Sequence, residues 1–502
     1  MNSTEQMASN SRFRVVVIGG GISGLAAAFH LRELAALRKL SLDVTLVEQS
    51  TRVGSALQTI RKDGFIAETG VDSFLSEKPW ALALANRLHL DSELIGTDER
   101  FRTASVVRAG GLVAVPEGFA LLAPTRLGSF IKTPLFSLRG KLRIALELLI
   151  PRKPDEEDES LAAFVIRRFG RETFDRIAQP LAGGIHTGDP NRLSIQATMP
   201  RFPEMERRYG SVIRGLWSAR KIRAQQTGGA SATRWGPFVS FRDGVQTLVD
   251  ALAARLTGCI RFGAEAVALT RSTDGAGWRV DLRDGYLQAD AVICAAPAFA
   301  AARLLRPHEP VLAARLDGIS YGSVVTVNMA FSERDFTRLP QSLGFVVPIV
   351  ERRKIIAATF SSLKFSGRAP EGAIMTRAFI GGTLHEQMMQ LDDAAMVTVV
   401  REEFRDLLGV TAEPRWTYVR RWPDSMPQYL VGHLDRVAEI KRRLARLAGV
   451  SVAGSAYDGV GVPDCVHSGE QAAEAVFSYL TSSFSRRQVE PSAEKFEGSS
   501  QA

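Results

Sequence analysis

Gly19-Gly20-Gly21-Ile22-Ser23-Gly24 is the stretch of this chain best suited to holding a phosphate. Gly19 permits a tight turn, Gly21 lets the backbone come close to a pyrophosphate, and Gly24 lets a helix lie against a strand. Free N–H groups at the start of that helix then face the phosphate charge. Glu48 adds a second function: its carboxylate can accept hydrogen bonds from ribose hydroxyls, which favours a nucleotide without a 2′-phosphate. Three elements have to position these groups. Val15-Val16-Val17-Ile18 is a β-branched run with the length of a buried parallel strand. Leu25 to Leu37 carries apolar residues at helical spacing, with small Ala26, Ala27 and Ala28 to press on a sheet. Val44-Thr45-Leu46-Val47 is a second strand that ends at the acid. A glycine turn alone is common. Strand, turn, helix, strand and acid in that order read as a dinucleotide site and not as a structural loop.

Composition narrows the remaining chemistry. With 502 residues, 45% hydrophobic and 23% charged, the chain is an ordinary globular protein long enough for two or three cores. Cys259, Cys294 and Cys465 match no metal or redox spacing and suggest buried, inert thiols in a reducing compartment. The seven histidines form no HxxxH or HExxH pair, so no metal site is expected. The net charge of +9 asks for a partner. Basic residues spread along the whole chain do not make the dense aromatic-laced face that nucleic acid needs, so an anionic small substrate or a membrane surface fits better. Residues 1–12 are polar, without a signal peptide, and no run of about twenty apolar residues could span a bilayer. The expected location is the cytoplasm, with peripheral attachment to its membrane left open.

Further motifs carry a resemblance. Glu48-Gln49 is followed by Arg52 and Gly54, then by Gly70-Val71-Asp72-Ser73-Phe74-Leu75. Together with Gly19 to Gly24 these residues resemble the flavin-dependent amine oxidase and porphyrinogen oxidase superfamily, in which the arginine and glycine after the ribose acid approach the FAD pyrophosphate. Ser55 stands where a second glycine is usual, which predicts a slightly altered backbone. Phe241 to Leu248, leading into a helix over 249–256, is similar to the entry of the second FAD segment, and the superfamily's adenine contact falls on the backbone near Val267. Near the end, Gly454-Ser455 and the run Gly459-Val460-Gly461-Val462-Pro463-Asp464-Cys465 resemble the C-terminal signature of the bacterial porphyrinogen oxidases. There, glycine amides and a helix start face the flavin; in physical terms, such N–H groups stabilise the anionic end of the reduced ring.

The resemblance covers nearly all of residues 14–482 and implies an α/β fold: a Rossmann-like FAD-binding domain of the p-hydroxybenzoate-hydroxylase and amine-oxidase type, a substrate-binding α+β domain, and a helical insertion. The expected layout is a disordered leader (1–12), FAD-binding parts at 13–99, 239–300 and 433–482, a helical insertion that meets substrate or membrane (100–238), a substrate domain (301–432) and a disordered tail (483–502). Phe119 to Ile150 mixes large apolar residues with Lys132, Arg139, Lys141 and Arg143, a pattern that suits either an interfacial surface or an amphipathic core helix.

For function, the resemblance implies an oxygen-dependent FAD oxidase that turns a porphyrinogen into a porphyrin in haem biosynthesis. Coproporphyrinogen III is the first candidate and protoporphyrinogen IX the second, with hand-over of product to a haem-pathway chelatase among the implied partners. Flavin N5 carries the chemistry, so no protein group is expected to be catalytic. Lys78, and Arg208 in a basic cluster with Arg207, Arg214, Arg220, Lys221 and Arg223, are the candidate clamps for propionates, although a solvated surface charge is the default for each. Asp464 and His467 read as residues that cap and orient the flavin turn. The alternatives are an amine oxidase, which would want an aromatic ring near Gly461, a carotenoid-type desaturase, whose substrate would not explain the basic excess, and a non-enzymatic flavin-stabilised protein.

Overall fold

The fold is that of a computed structural model, which describes residues 12–489 except 102, 121, 126, 227–235 and 273–276. The expected disordered leader, apart from Arg12, and the tail beyond 489 lie outside the described residues. In chain order the elements that matter here are β1 (Phe13–Ile18), α1 (Ile22–Arg38), β2 (Leu42–Glu48), α2 (Leu138–Ala145), β3 (Ile260–Phe262), β4 (Ala291–Cys294), β5 (Tyr321–Ser332), β6 (Ala373–Gly381), α3 (Asp393–Leu408), β7 (Trp416–Pro427), β8 (Val450–Val452) and α4 (Val462–Val489). The last helix continues to Val489, past residue 483 where the tail is expected to begin.

Five strands form a parallel sheet in the order β3-β2-β1-β4-β8, with β1 at its centre. Val15 and Val17 pack on one side with Leu25 and Ala28 of α1 and Val466 and Ala473 of α4. Val16 and Ile18 pack on the other with Ala298, Ala301 and Ala302. Burial on both faces is why the run is apolar throughout and does not alternate. A Cβ on Gly24 would collide with the Gly19 carbonyl oxygen, and one on Gly469 with the carbonyl oxygen of Ser23. Glycine at these two places lets α1 lie close on the sheet and α4 cross close over α1.

A second sheet of seven strands runs β7-β5-β6, then Ala357–Phe360, Gly344–Val346, Ser105–Arg108 and Gly111–Ala114. Residues 105–114, inside the segment the sequence marks as helical, are thus a hairpin that edges this sheet, joined to it by a parallel pairing of Phe345 with Ser105. One face buries Val325, Val327, Met329, Phe331 and Ile380 against Met396, Val400 and Phe404 of α3. The other face is polar, carrying Thr326 and Asn328 of β5, Arg377 of β6 and Arg420 of β7 in neighbouring register.

The rest of the helical segment has its own core around Phe130, Phe136, Phe164 and Phe202. Arg168 and Glu147, both fully buried, pair at its centre, and Glu147 also accepts from the Ser211 hydroxyl (2.5 Å) and the Val212 amide (2.9 Å). That pairing turns α2 and the following turn so that Ile144 and Glu147 face inward. Leu138, Leu142, Leu146 and Leu149 are left on the outside, at 79%, 66%, 51% and 77% exposure.

Candidate functional site

Strands β1 and β8 run parallel in one sheet, so their carboxyl ends open at the same edge, where α1 and α4 both begin. Two glycine turns 440 residues apart in the numbering (19 and 459) are thereby joined at a single crevice, the usual place for a ligand in an open parallel sheet. Gly19 sits at φ 106°, with its amide donating to the Val47 carbonyl at 2.8 Å, and a Cβ there would press on Ala295. Gly21 is different: its φ of −68° suits any residue, and the nearest atom to a Cβ would be Ser55 Cβ, 3.8 Å away. Glycine at 21 is therefore not demanded by the protein's own packing, and the space beside it is open, as an approaching phosphate requires. Ile22, Ser23 and Gly24 form the buried first turn of α1, with no side chain capping its N–H groups.

Glu48 is held in place by two backbone amides, Gly20 N–H to Oε2 (2.7 Å) and Ser50 N–H to Oε1 (2.8 Å). The Ala264 amide donates to the Glu48 carbonyl (2.9 Å), which brings the strand that bears Val267, itself half exposed, close to the acid. Gln49 follows at the exposed end of β2. Arg52 donates to the carbonyls of Val53 (3.3 Å) and Ser55 (2.6 Å), and the Gly54 amide bonds Gly20 O at 2.8 Å, which fastens this loop to the glycine turn. Ser55 itself adopts φ 48°. The loop keeps the left-handed step that a glycine would take freely, and the serine bears the strain. Ser55→Gly should therefore stabilise the protein by roughly 0.5–1 kcal/mol, read as a higher denaturant midpoint at unchanged slope.

The segment Gly70-Val71-Asp72-Ser73 is gripped from the polar face of the large sheet. Arg377 Nη1 donates to Gly70 O (2.7 Å), and both Thr326 Oγ1 (2.6 Å) and Trp422 Nε1 (2.7 Å) donate to Thr69 O. The Val71 amide bonds Ala56 O (3.1 Å). Asp72 meets Lys364 Nζ (2.9 Å) and Arg377 Nη2 (2.9 Å), and Lys364 also reaches Ser73 Oγ at 2.9 Å. Burial pushes the Asp72 carboxyl up, but Lys364 and Arg377 outweigh it and hold it well below the usual carboxylate range. Burial lowers the Lys364 ammonium against the raising pull of Asp72. The side chains of Asp72 and Ser73 are thus engaged with the protein, and the Asp72 carbonyl accepts from Ser240 Oγ (2.8 Å).

At the C-terminal turn, Gly454 N–H donates to Ser468 Oγ (3.0 Å) and Ser455 O accepts from Tyr429 Oη (2.6 Å). Gly459, at φ 151°, and Gly461 lie directly over Asp464. Val460 follows Gly459, and Val462 opens α4. Asp464 does not cap: both its oxygens go to Lys78 Nζ, at 2.6 and 2.7 Å, and His467 stacks on Trp80 with ring centres 4.1 Å apart. Lys78 therefore belongs to the C-terminal glycine turn as much as to any outer surface. Arg208 is exposed on its helix, over the Tyr209 ring.

Sequence reasoning missed this grip: Thr326, Arg377 and Trp422 from the large sheet, and Lys364 from the short helix Ser361–Lys364 beside it. The available signal was a charged residue inside an apolar strand, as in Ile374-Met375-Thr376-Arg377-Ala378-Phe379, where a buried charge demands a partner. On that same face Asn328 Nδ2 and Oδ1, Arg377 Nε and Arg420 Nε are buried and have no protein partner. Orphaned donors and acceptors beside an open glycine turn fit a polar ligand between the two sheets.

The comparisons agree with this geometry. The sequence profile of the family described as flavin containing amine oxidoreductase matches residues 22–477. The chain is 36% identical to the coproporphyrinogen III oxidase of Bacillus subtilis (strain 168), over 94% of this chain and 100% of that one. It is 32% identical to the protoporphyrinogen oxidase of Homo sapiens, over 92% of this chain and 98% of that one. Among solved structures, a putative protoporphyrinogen oxidase from Exiguobacterium sp. 255-15 superposes with a TM-score of 0.80 at 29% identity, covering 94% of this chain and 99% of that one. With a family profile spanning most of its length and two porphyrinogen-oxidising relatives matched nearly end to end, the chain belongs to the flavin-containing amine oxidoreductase family.

Proposed function

We propose that this chain is an oxygen-dependent FAD oxidase that converts coproporphyrinogen III to coproporphyrin III, with protoporphyrinogen IX as the next substrate. The carrying observation is the convergence of both glycine turns and both helix starts on one crevice, in a chain similar to coproporphyrinogen III oxidase along 94% of its length. When bound, FAD supplies a hydride acceptor that oxygen regenerates, with release of hydrogen peroxide. Glu48 would hold the ribose and the Val267 backbone the adenine. The amides of Gly21, Ile22, Ser23 and Gly24 would meet the phosphates, with the Gly19 turn, Gln49, Arg52 and Gly54 beside them. Gly70 to Ser73 would offer backbone, Gly454 and Ser455 would line the ring, and Gly459 to Val462 would place N–H groups and the α4 dipole against its pyrimidine end. The substrate gives up a meso hydride and a pyrrole proton, three times over, and needs no acid–base dyad from the protein.

Incubating the flavin-loaded protein with each porphyrinogen in air tests this reading, because porphyrinogens are dark and porphyrins emit red. The expected result is emission that grows faster from coproporphyrinogen III; a faster rate from protoporphyrinogen IX would reverse the substrate order. Lys78 and Arg208 are proposed as propionate-facing cations, Lys78 being the one near the crevice. Lys78→Ala should raise KM several-fold with kcat little changed, whereas an equal fall in kcat and kcat/KM would make Lys78 a positioning residue for Asp464 and the Gly459 turn.

No helix among the described residues is long and apolar enough to cross a membrane. A peripheral contact is the finer proposal. It rests on α2 and the turn after it, which bury a glutamate and expose four leucines, with Ile131 66% exposed and Lys132 and Arg139 exposed nearby. Co-sedimentation with anionic phospholipid vesicles should pellet the protein, and Leu142→Glu with Leu149→Glu should abolish this. Failure of the unaltered protein to pellet would remove the proposal.

A further inference from the structure

Arg420 lies on the polar face of the large sheet, opposite Thr326 and two residues from Trp422, the two side chains that donate to Thr69 O. Its guanidinium stacks over the Trp422 ring, with Cζ 4.7 Å from the ring centre. Its Nε is buried and has no hydrogen-bond partner. No carboxylate among the described residues forms an ion pair with Arg420 or with Arg52. Burial first, then the charge of Arg420, lowers the Arg52 pKa, against a raising pull from Tyr418 and Glu48, so residues of β7 act directly on the nucleotide-side loop. Glu48 pulls the other way, but its two oxygens accept from the Gly20 and Ser50 amides and form no ion pair with Arg52. Two partly buried cations brought together in this way favour a ligand that supplies negative charge. Arg52 faces the same glycine turn through Gly54 and Ser55, and the space beside Gly21 is open.

We propose that Arg420, from the substrate-side sheet, and Arg52, from the nucleotide-side loop, together clamp the pyrophosphate of FAD. This rests on the FAD reading above. One consequence is that the cofactor ties the two sheets together, since one cation comes from each. A planar guanidinium with five donors suits phosphate oxygens in a way a lone ammonium does not, yet a lysine would keep the charge.

The test is a titration of the apoprotein with FAD, followed by flavin fluorescence, for the unaltered chain, Arg420→Gln and Arg420→Lys at low and high salt. Loss of a charge-assisted bond to phosphate should raise the FAD dissociation constant of Arg420→Gln about ten- to a hundredfold. Arg420→Lys should recover most of that loss, and Arg420→Gln should show a shallower salt dependence. Riboflavin, which has no phosphate, should bind all three equally. An FAD affinity unchanged in Arg420→Gln overturns the clamp, as does a rise in KM for the porphyrinogen with FAD binding intact. Equal losses in both variants, for riboflavin as for FAD and with a lower apoprotein melting temperature, overturn it in favour of packing. If the unaltered chain takes up no FAD, the parent reading falls and the clamp with it.

Discussion

Gly21→Val yields a folded protein that purifies without colour. Nothing in the fold requires glycine there, since φ is −68° and the nearest atom to a Cβ lies 3.8 Å off. Valine is a poor helix N-cap, which costs about 1 kcal/mol and lowers the melting temperature by a few degrees. Its branched side chain instead fills the space left for the pyrophosphate, so FAD affinity should fall more than about a hundredfold, ~3 kcal/mol. Absorbance near 450 nm per protein, beside the apoprotein melting temperature, checks both halves. A yellow, fully loaded variant would refute the placement of the phosphates.

Asp72→Asn is expected to cost about 3–5 kcal/mol of stability, because it leaves Lys364 and Arg377 buried together with no carboxylate between them. Urea denaturation followed by circular dichroism reads the loss. Asp72→Asn combined with Lys364→Met removes one of the two stranded cations and should regain part of it, so the double variant is more stable than the single one predicts by addition. Strict additivity would mean that the three charges do not act as a unit. The Gly70 carbonyl depends on Arg377, so the same single variant should also weaken flavin retention.

These two sites differ in how far the sequence exposed them. The turn at Gly19 to Gly24 was readable because its chemistry is local: strand, turn, helix and acid follow one another within 35 residues (14–48), each with its own periodicity. The C-terminal turn was readable by resemblance, and its pairing with the first followed once both were placed at the ends of parallel strands. The network around Asp72 was not readable. Lys364 and Arg377 lie 292 and 305 residues away from Asp72, and only the folded sheet brings them to it. Asp464 misled for a related reason. A carboxylate at a helix start reads as a cap that orients the turn, but Lys78, 386 residues earlier, claims it. The hairpin at 105–114 was absorbed into a helical segment because four-residue strands carry too little pattern beside the long amphipathic run that follows.

The central claim meets its most direct test in stoichiometry. A porphyrinogen becomes a porphyrin by losing six electrons, two per oxygen molecule reduced to peroxide. With coproporphyrinogen III and flavin-loaded protein in air, catalase-sensitive hydrogen peroxide and red porphyrin emission should rise together at three peroxides per porphyrin, above the rate without protein. Flavin-loaded protein that leaves the porphyrinogen at its spontaneous rate, with no peroxide formed, would contradict the account.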